Sequence, residues 1–78
     1  MRLRIEERPL DHDVWGNLID VEVGDEGEEL YVLELAQRYV KREHVIEHDG
    51  KPIEKSIGER VMELRGKGAR PRRRGAKK

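Results

Sequence analysis

The chain has no cysteine, no phenylalanine and no threonine, and only one tryptophan and one serine. Without cysteine there are no disulfides, no thiolate nucleophile and no cysteine zinc site, so packing and charge pairing must hold the fold. Only 35% of the 78 residues are hydrophobic and 4% aromatic, which restricts the chain to one small domain with a lean core. No apolar run reaches the roughly 18 residues of a membrane helix, and MRLRIEERPL lacks the apolar stretch of a secretory signal. The expectation is a cytoplasmic protein without a membrane partner. Ser56 has no triad motif around it, and Gly24 and Gly27 are flanked by acids that repel phosphate. Neither an enzyme nor a cofactor is expected.

Charge is abundant: 17 Lys and Arg balance 17 Asp and Glu, together 44% of the chain. This richness, with few Asn or Gln, fits a thermophile composition. The zero net charge conceals a partition. Residues 1–64 hold 9 basic and 17 acidic residues, a net −8, whereas residues 65–78 hold 8 bases and no acid. Between Asp11 and Glu34 there are nine carboxylates and no Lys or Arg. The C-terminal RGKGARPRRRGAKK has nothing aliphatic larger than Ala, and its Gly and Pro oppose a helix. It is expected to be a disordered basic arm over residues 66–78, following a small acidic α+β domain over residues 1–65.

Alternation in R-L-R-I-E predicts a half-buried strand over residues 2–7, with Leu3 and Ile5 inward. Residues 17–23 repeat the pattern, placing Ile19, Val21 and Val23 inward and Leu18, Asp20 and Glu22 outward. Antiparallel pairing sets Arg2 and Arg4 across from Asp20 and Glu22. Pro9 makes residues 8–13 a loop, and Trp15-Gly16 marks a strand start or a bulge. Asp25 with Glu28 has capping-box spacing, so a helix is expected over residues 26–43. Its apolar stripe is Leu30, Leu33, Ala36 or Gln37, and Val40, widened by Val32 and Tyr39; Lys41 and Arg42 suit its C-terminal dipole. Residues 44–48 read as a short strand closed by Asp49-Gly50.

Beyond that turn two readings compete. Pro52 suits the first turn of a helix, and Ile53, Ile57, Val61 and Leu64 recur at helical spacing up to a terminating Gly66. A second helix over residues 52–65 is the favoured reading, with Gly58 in its middle costing about 1 kcal/mol. The alternative is a hairpin at Asp49-Gly50 and another strand over residues 59–64. In that form DGKPIEKSIGERVMEL resembles the final segment of β-grasp domains of the ubiquitin-like and TGS kind. The resemblance covers about 16 residues and implies RNA or protein binding. It does not imply carrier chemistry, since Gly66 and Gly68 are separated and are followed by the rest of the basic arm. The expected class is therefore α+β: a strand pair, a central amphipathic helix, a short strand and a second helix, with a β-grasp-like alternative.

Few motifs carry chemistry. His44-Val45-Ile46-Glu47-His48 satisfies H-x-x-E-H, which binds zinc when both imidazoles share a helix face. Here it runs into Asp49-Gly50, so the economical reading is a surface strand with partly exposed imidazoles and no metal. Asp11-His12-Asp13 lacks calcium-loop spacing and reads as turn chemistry. Trp15 suits the core better than a base-stacking anchor, and Tyr31 and Tyr39 either rim a partner surface or edge the core.

Two functions follow. The first is a small non-enzymatic accessory or regulatory protein that touches DNA or RNA phosphates through Arg65, Lys67, Arg70, Arg72, Arg73, Arg74, Lys77 and Lys78. The second is a protein-interaction module whose acids Asp20, Glu22, Asp25, Glu26, Glu28 and Glu29 meet a basic partner, including the arm of a sister chain in a homodimer.

Overall fold

A computed structural model describes residues 1–7 and 16–73. The loop expected over residues 8–13, the Asp11-His12-Asp13 cluster, Trp15, Arg74, Lys77 and Lys78 lie outside the described residues. The elements run β1 (Arg2–Glu7), β2 (Gly16–Glu22), α1 (Glu26–Gln37), β3 (His44–His48), β4 (Lys51–Ile53) and α2 (Ile57–Gly66). The four strands form one antiparallel sheet in the order β2-β1-β3-β4, so the α+β expectation holds.

Strand alternation sets the two faces. Leu3 and Ile5 of β1 and Ile46 of β3 are fully buried under the helices, where they meet Leu30, Leu33 and Ala36 of α1 and Ile57, Val61 and Leu64 of α2. The opposite sheet face carries the charges. Arg2 lies across from Glu22 and Arg4 across from Asp20, the expected register. Between Ile5↔Ile19 and Glu6↔Asn17 the register shifts and Leu18 is left without a partner on β1. This bulge breaks the expected outward alternation of Leu18, which instead lines an apolar groove with Ile19, Leu35, Ala36 and Tyr39.

Asp25 caps α1 by accepting from the Glu28 N–H at 3.0 Å. The returning Glu28 carboxylate accepts from the Gly24 N–H at 2.6 Å, one residue before the capping-box position. α1 stops at Gln37 rather than residue 43. Arg38 and Tyr39 tighten onto the carbonyls of Leu35 and Ala36, and the chain must then reverse so that β3 can pair with β1. Val40 still packs on the core, but from beyond the helix, and Lys41 and Arg42 lie past its dipole.

The second helix begins at Ile57, not Pro52. Asp49 (φ 52°) and Gly50 (φ 83°) both adopt the left-handed conformation that a two-residue hairpin demands. Pro52 therefore pairs with Glu47 on the edge strand β4, where a missing N–H is tolerated. Residues 59–64, a strand in the β-grasp-like alternative, are helical. Ser56 and Glu59 form a complete capping box. Gly58 consequently falls in the first turn, where its expected mid-helix cost does not arise.

Candidate nucleic-acid interface

α2 closes with a glycine two residues later than expected. Gly66 is the last helical residue, and Gly68 takes the left-handed position at φ 90°. Its N–H donates to the Arg65 carbonyl and the Ala69 N–H to Leu64, both at 3.0 Å, the Schellman pattern of helix termination. Ala69 then packs on the core. The described part of the segment assigned to the arm, residues 66–73, thus begins in α2 and continues along α1.

Contact with α1 is close. The Arg72 N–H donates to the Gly27 carbonyl at 2.9 Å, and a Cβ on Gly27 would lie 2.7 Å from the Arg70 carbonyl oxygen. Only glycine admits the segment at that distance. Arg72 pairs with Asp25 and lies 3.5 Å from Glu28, Lys67 reaches Glu26 at 3.1 Å, and Arg65 pairs with Glu34. Asp25 is held below the usual carboxylate range by the Glu28 N–H and then by Arg72. Arg72 is raised in turn by its hydrogen bond to Asp25.

Of the eight bases expected to touch phosphate, Arg65, Lys67 and Arg72 are therefore matched to carboxylates of α1. Arg70 and Arg73 are exposed and make no ion pair with any described carboxylate. The six acids expected to meet a partner are also engaged. Asp20 accepts from Arg2 at 2.6 Å and Glu22 from the N-terminal ammonium at 2.7 Å. Asp25, Glu26 and Glu28 face the arm. Glu29 is 1% exposed, held by the Arg60 guanidinium and by His48 Nε2 at 2.8 Å.

The two histidines of H-x-x-E-H are used apart. They sit on strand β3, whose rise sets residues four apart at about 13 Å, too far for one ion. His48 meets Glu29, while His44 Nδ1 donates to the Arg42 carbonyl and Nε2 accepts from the Ile57 N–H at 3.1 Å. The open sheet face is no phosphate platform: Arg2 and Arg4 stand among Glu6, Asp20, Glu22 and Glu47, with Arg4 bonded to Glu6 at 2.7 Å.

One basic cluster escaped the sequence reading because it was absorbed into the expected helix. Arg38, Lys41 and Arg42 are exposed just past α1, and none makes an ion pair with a described carboxylate. Tyr39 among them is 71% exposed. The available signal was the alternation of three bases with an aromatic in R-Y-V-K-R. Comparison with protein-family models, curated proteins and solved structures finds no match.

Proposed function

We propose that this is a small non-enzymatic, nucleic-acid-associated accessory protein that works in the cytoplasm and contacts phosphates through its basic C-terminal arm. The observation that supports it is the imbalance left after internal pairing. Arg65, Lys67 and Arg72 at the root of the arm are matched by carboxylates at α1, whereas beyond Arg72 the sequence carries Arg73, Arg74, Lys77 and Lys78 with no acid. The root fixes where the arm leaves the body, and the unmatched cations exchange condensed counterions for protein contacts on DNA or RNA. Replacing Arg73, Arg74, Lys77 and Lys78 by Gln in the full chain should lower the slope of log K against log salt by about three, measured by fluorescence anisotropy with a labelled oligonucleotide. Unchanged affinity and slope would refute this role.

A second reading draws on the same contacts. The acidic N-terminal half of α1 accepts a basic segment from its own chain, and the same bonds made between copies would link a homodimer. Sedimentation at low and high salt separates the two. A salt-sensitive dimer supports exchange of arms, and a monomer at both salts leaves the arm for nucleic acid.

A further inference from the structure

We infer that the turn formed by residues 38–42, with the apolar groove beside it, is a second nucleic-acid contact that takes a single strand: Tyr39 stacks a base while Arg38, Lys41 and Arg42 hold phosphates. This goes beyond the arm and stands on different residues. The arm root and the turn flank opposite ends of α1, about 18 Å apart at the helical rise of its 12 residues.

Three observations converge on the turn. The first is the state of the aromatic ring. Tyr31 is half-buried and edges the body, but Tyr39 is 71% exposed, with Ala36 and Val40 covering the core at its level. The ring is not needed for packing and offers a face to solvent. The second is the groove at its side, about 260 Å³, lined by Leu18, Ile19, Leu35, Ala36 and Tyr39. Leu18 and Leu35 remain 41% and 37% exposed there, so the floor is apolar and accessible to a flat ring. The β2 bulge brings Leu18 into this wall.

The third is charge. Seven of the thirteen described Lys and Arg have a carboxylate partner, among them Arg2 with Asp20, Arg4 with Glu6, Lys55 with Glu63, Arg60 with Glu29 and Arg72 with Asp25; outside the turn, Lys51, Arg70 and Arg73 have none. Arg38, Lys41 and Arg42 have none among the described residues; they lie within three positions of Tyr39 along the chain, the most exposed aromatic among the described residues, although Arg38 and Arg42 line neighbouring hollows rather than the groove itself. A protein ligand would find the groove equally apolar, but the unmatched cations of the same turn favour a polyanion. Stacking requires an unpaired base, because a duplex keeps its base faces covered, and a cationic rim with an aromatic platform is the arrangement that binds single strands without sequence preference.

The test uses the full chain, a fluorescein-labelled oligothymidylate of about twelve nucleotides, which is within the site sizes of small single-strand binders, and a duplex of equal length. Tyr39→Ala should weaken oligothymidylate binding by about five-fold or more and leave duplex binding unchanged. Tyr39→Phe, which keeps the ring, should restore it. Replacing Arg38, Lys41 and Arg42 by Gln should lower the single-strand salt slope by about two. The inference fails if Tyr39→Ala binds like the parent, if it weakens both ligands equally, or if Phe fails to rescue. It also fails if Leu35→Ala with Tyr39→Ala changes sedimentation but not oligonucleotide binding, which would make this face a contact between copies. The arm substitutions distinguish the two sites: losing only the arm response overturns the arm, and losing only the Tyr39 response overturns the turn.

Discussion

Arg60 of α2 holds both carboxylate oxygens of Glu29 of α1, with Nε 2.8 Å from Oε2 and Nη2 2.9 Å from Oε1. The pair links the two helices over the sheet, and His48 extends it to β3. Glu29 is 1% exposed, so these partners take the place of water around its carboxylate. Removing one partner from a buried pair leaves an uncompensated charge, whereas replacing both by apolar groups is often neutral. Arg60→Met should destabilise the fold by about 3 kcal/mol, and Arg60→Met with Glu29→Met should recover most of the loss. Urea unfolding of both variants checks this. Equal losses would mean that the bond itself, rather than the stranded carboxylate, carries the cost.

The start of α2 predicts two modest and separate losses. Ser56 Oγ accepts from the Glu59 N–H at 3.2 Å, and His44 Nε2 accepts from the Ile57 N–H at 3.1 Å. These are first-turn donors with no partner inside the helix. Ser56→Ala and His44→Leu should each cost about 1 kcal/mol. Thermal unfolding measures both, and a neutral His44→Leu would show that the Ile57 N–H is equally well served by water.

Gly27→Ala separates the arm root from the body. The new Cβ would meet the Arg70 carbonyl oxygen, a backbone atom that no side-chain rotation can move away. Residues 70–72 must therefore lift, breaking the bond from the Arg72 N–H to Gly27. Gly27 lies in the first turn of α1, where the mid-helix glycine cost does not arise, so alanine adds little to the helix and the melting temperature should change little. The expected signature is lost hydrogen-exchange protection at Arg72 without loss of the fold. If the arm binds nucleic acid, freeing Arg72 from Asp25 should also steepen the salt slope by about one phosphate contact.

Acid should act through Glu63 and Asp25. Lys55, 2.6 Å from Glu63, and then Arg60 lower the Glu63 carboxyl from 4.5 to about 2. Asp25 is lowered by the Glu28 N–H and then by Arg72. Both bind protons less readily in the folded chain than in the unfolded one. The stability they confer is complete above their ordinary values and is lost as pH falls towards the folded ones, for Glu63 from 4.5 to about 2. Glu63→Gln should reduce stability at neutral pH and remove part of this acid sensitivity. Melts followed by circular dichroism across that interval check the slope.

The features legible in the sequence were those set by near neighbours. Leu3 and Ile5 alternate with arginines, and Asp25 sits three residues before Glu28, so β1 and the start of α1 could be read directly. The end of α1 could not, because nothing local forbids helix through residue 43; the stop comes from the return of β3 to β1. The segment after His48 was ambiguous because Asp49-Gly50 favours a hairpin and Pro52 a helix start, and the chain honours the turn first. For the candidate interface, counting charges points to a basic arm but not to its root. The contacts of Arg65, Lys67 and Arg72 depend on Gly68 turning the chain back and on Gly27 admitting it, two glycines far apart in sequence. Glu29 looked like one acid of a repulsive band until folding brought Arg60 and His48 to it.

The place of β1 inside the sheet has a kinetic consequence. Its neighbours are β2, close in sequence, and β3, which begins about forty residues later. The β1-β2 hairpin alone is a two-stranded ribbon, marginal in water. While the chain is being synthesised, Leu3 and Ile5 must wait for Ile46 before the edge they present is covered. The Asp49 carboxylate, which accepts from the Arg2 N–H at 2.8 Å, then fastens the turn to the first strand. Folding should therefore be slow for so small a chain, gated by a distant closure rather than by its helices, and most exposed to aggregation before residue 49 emerges.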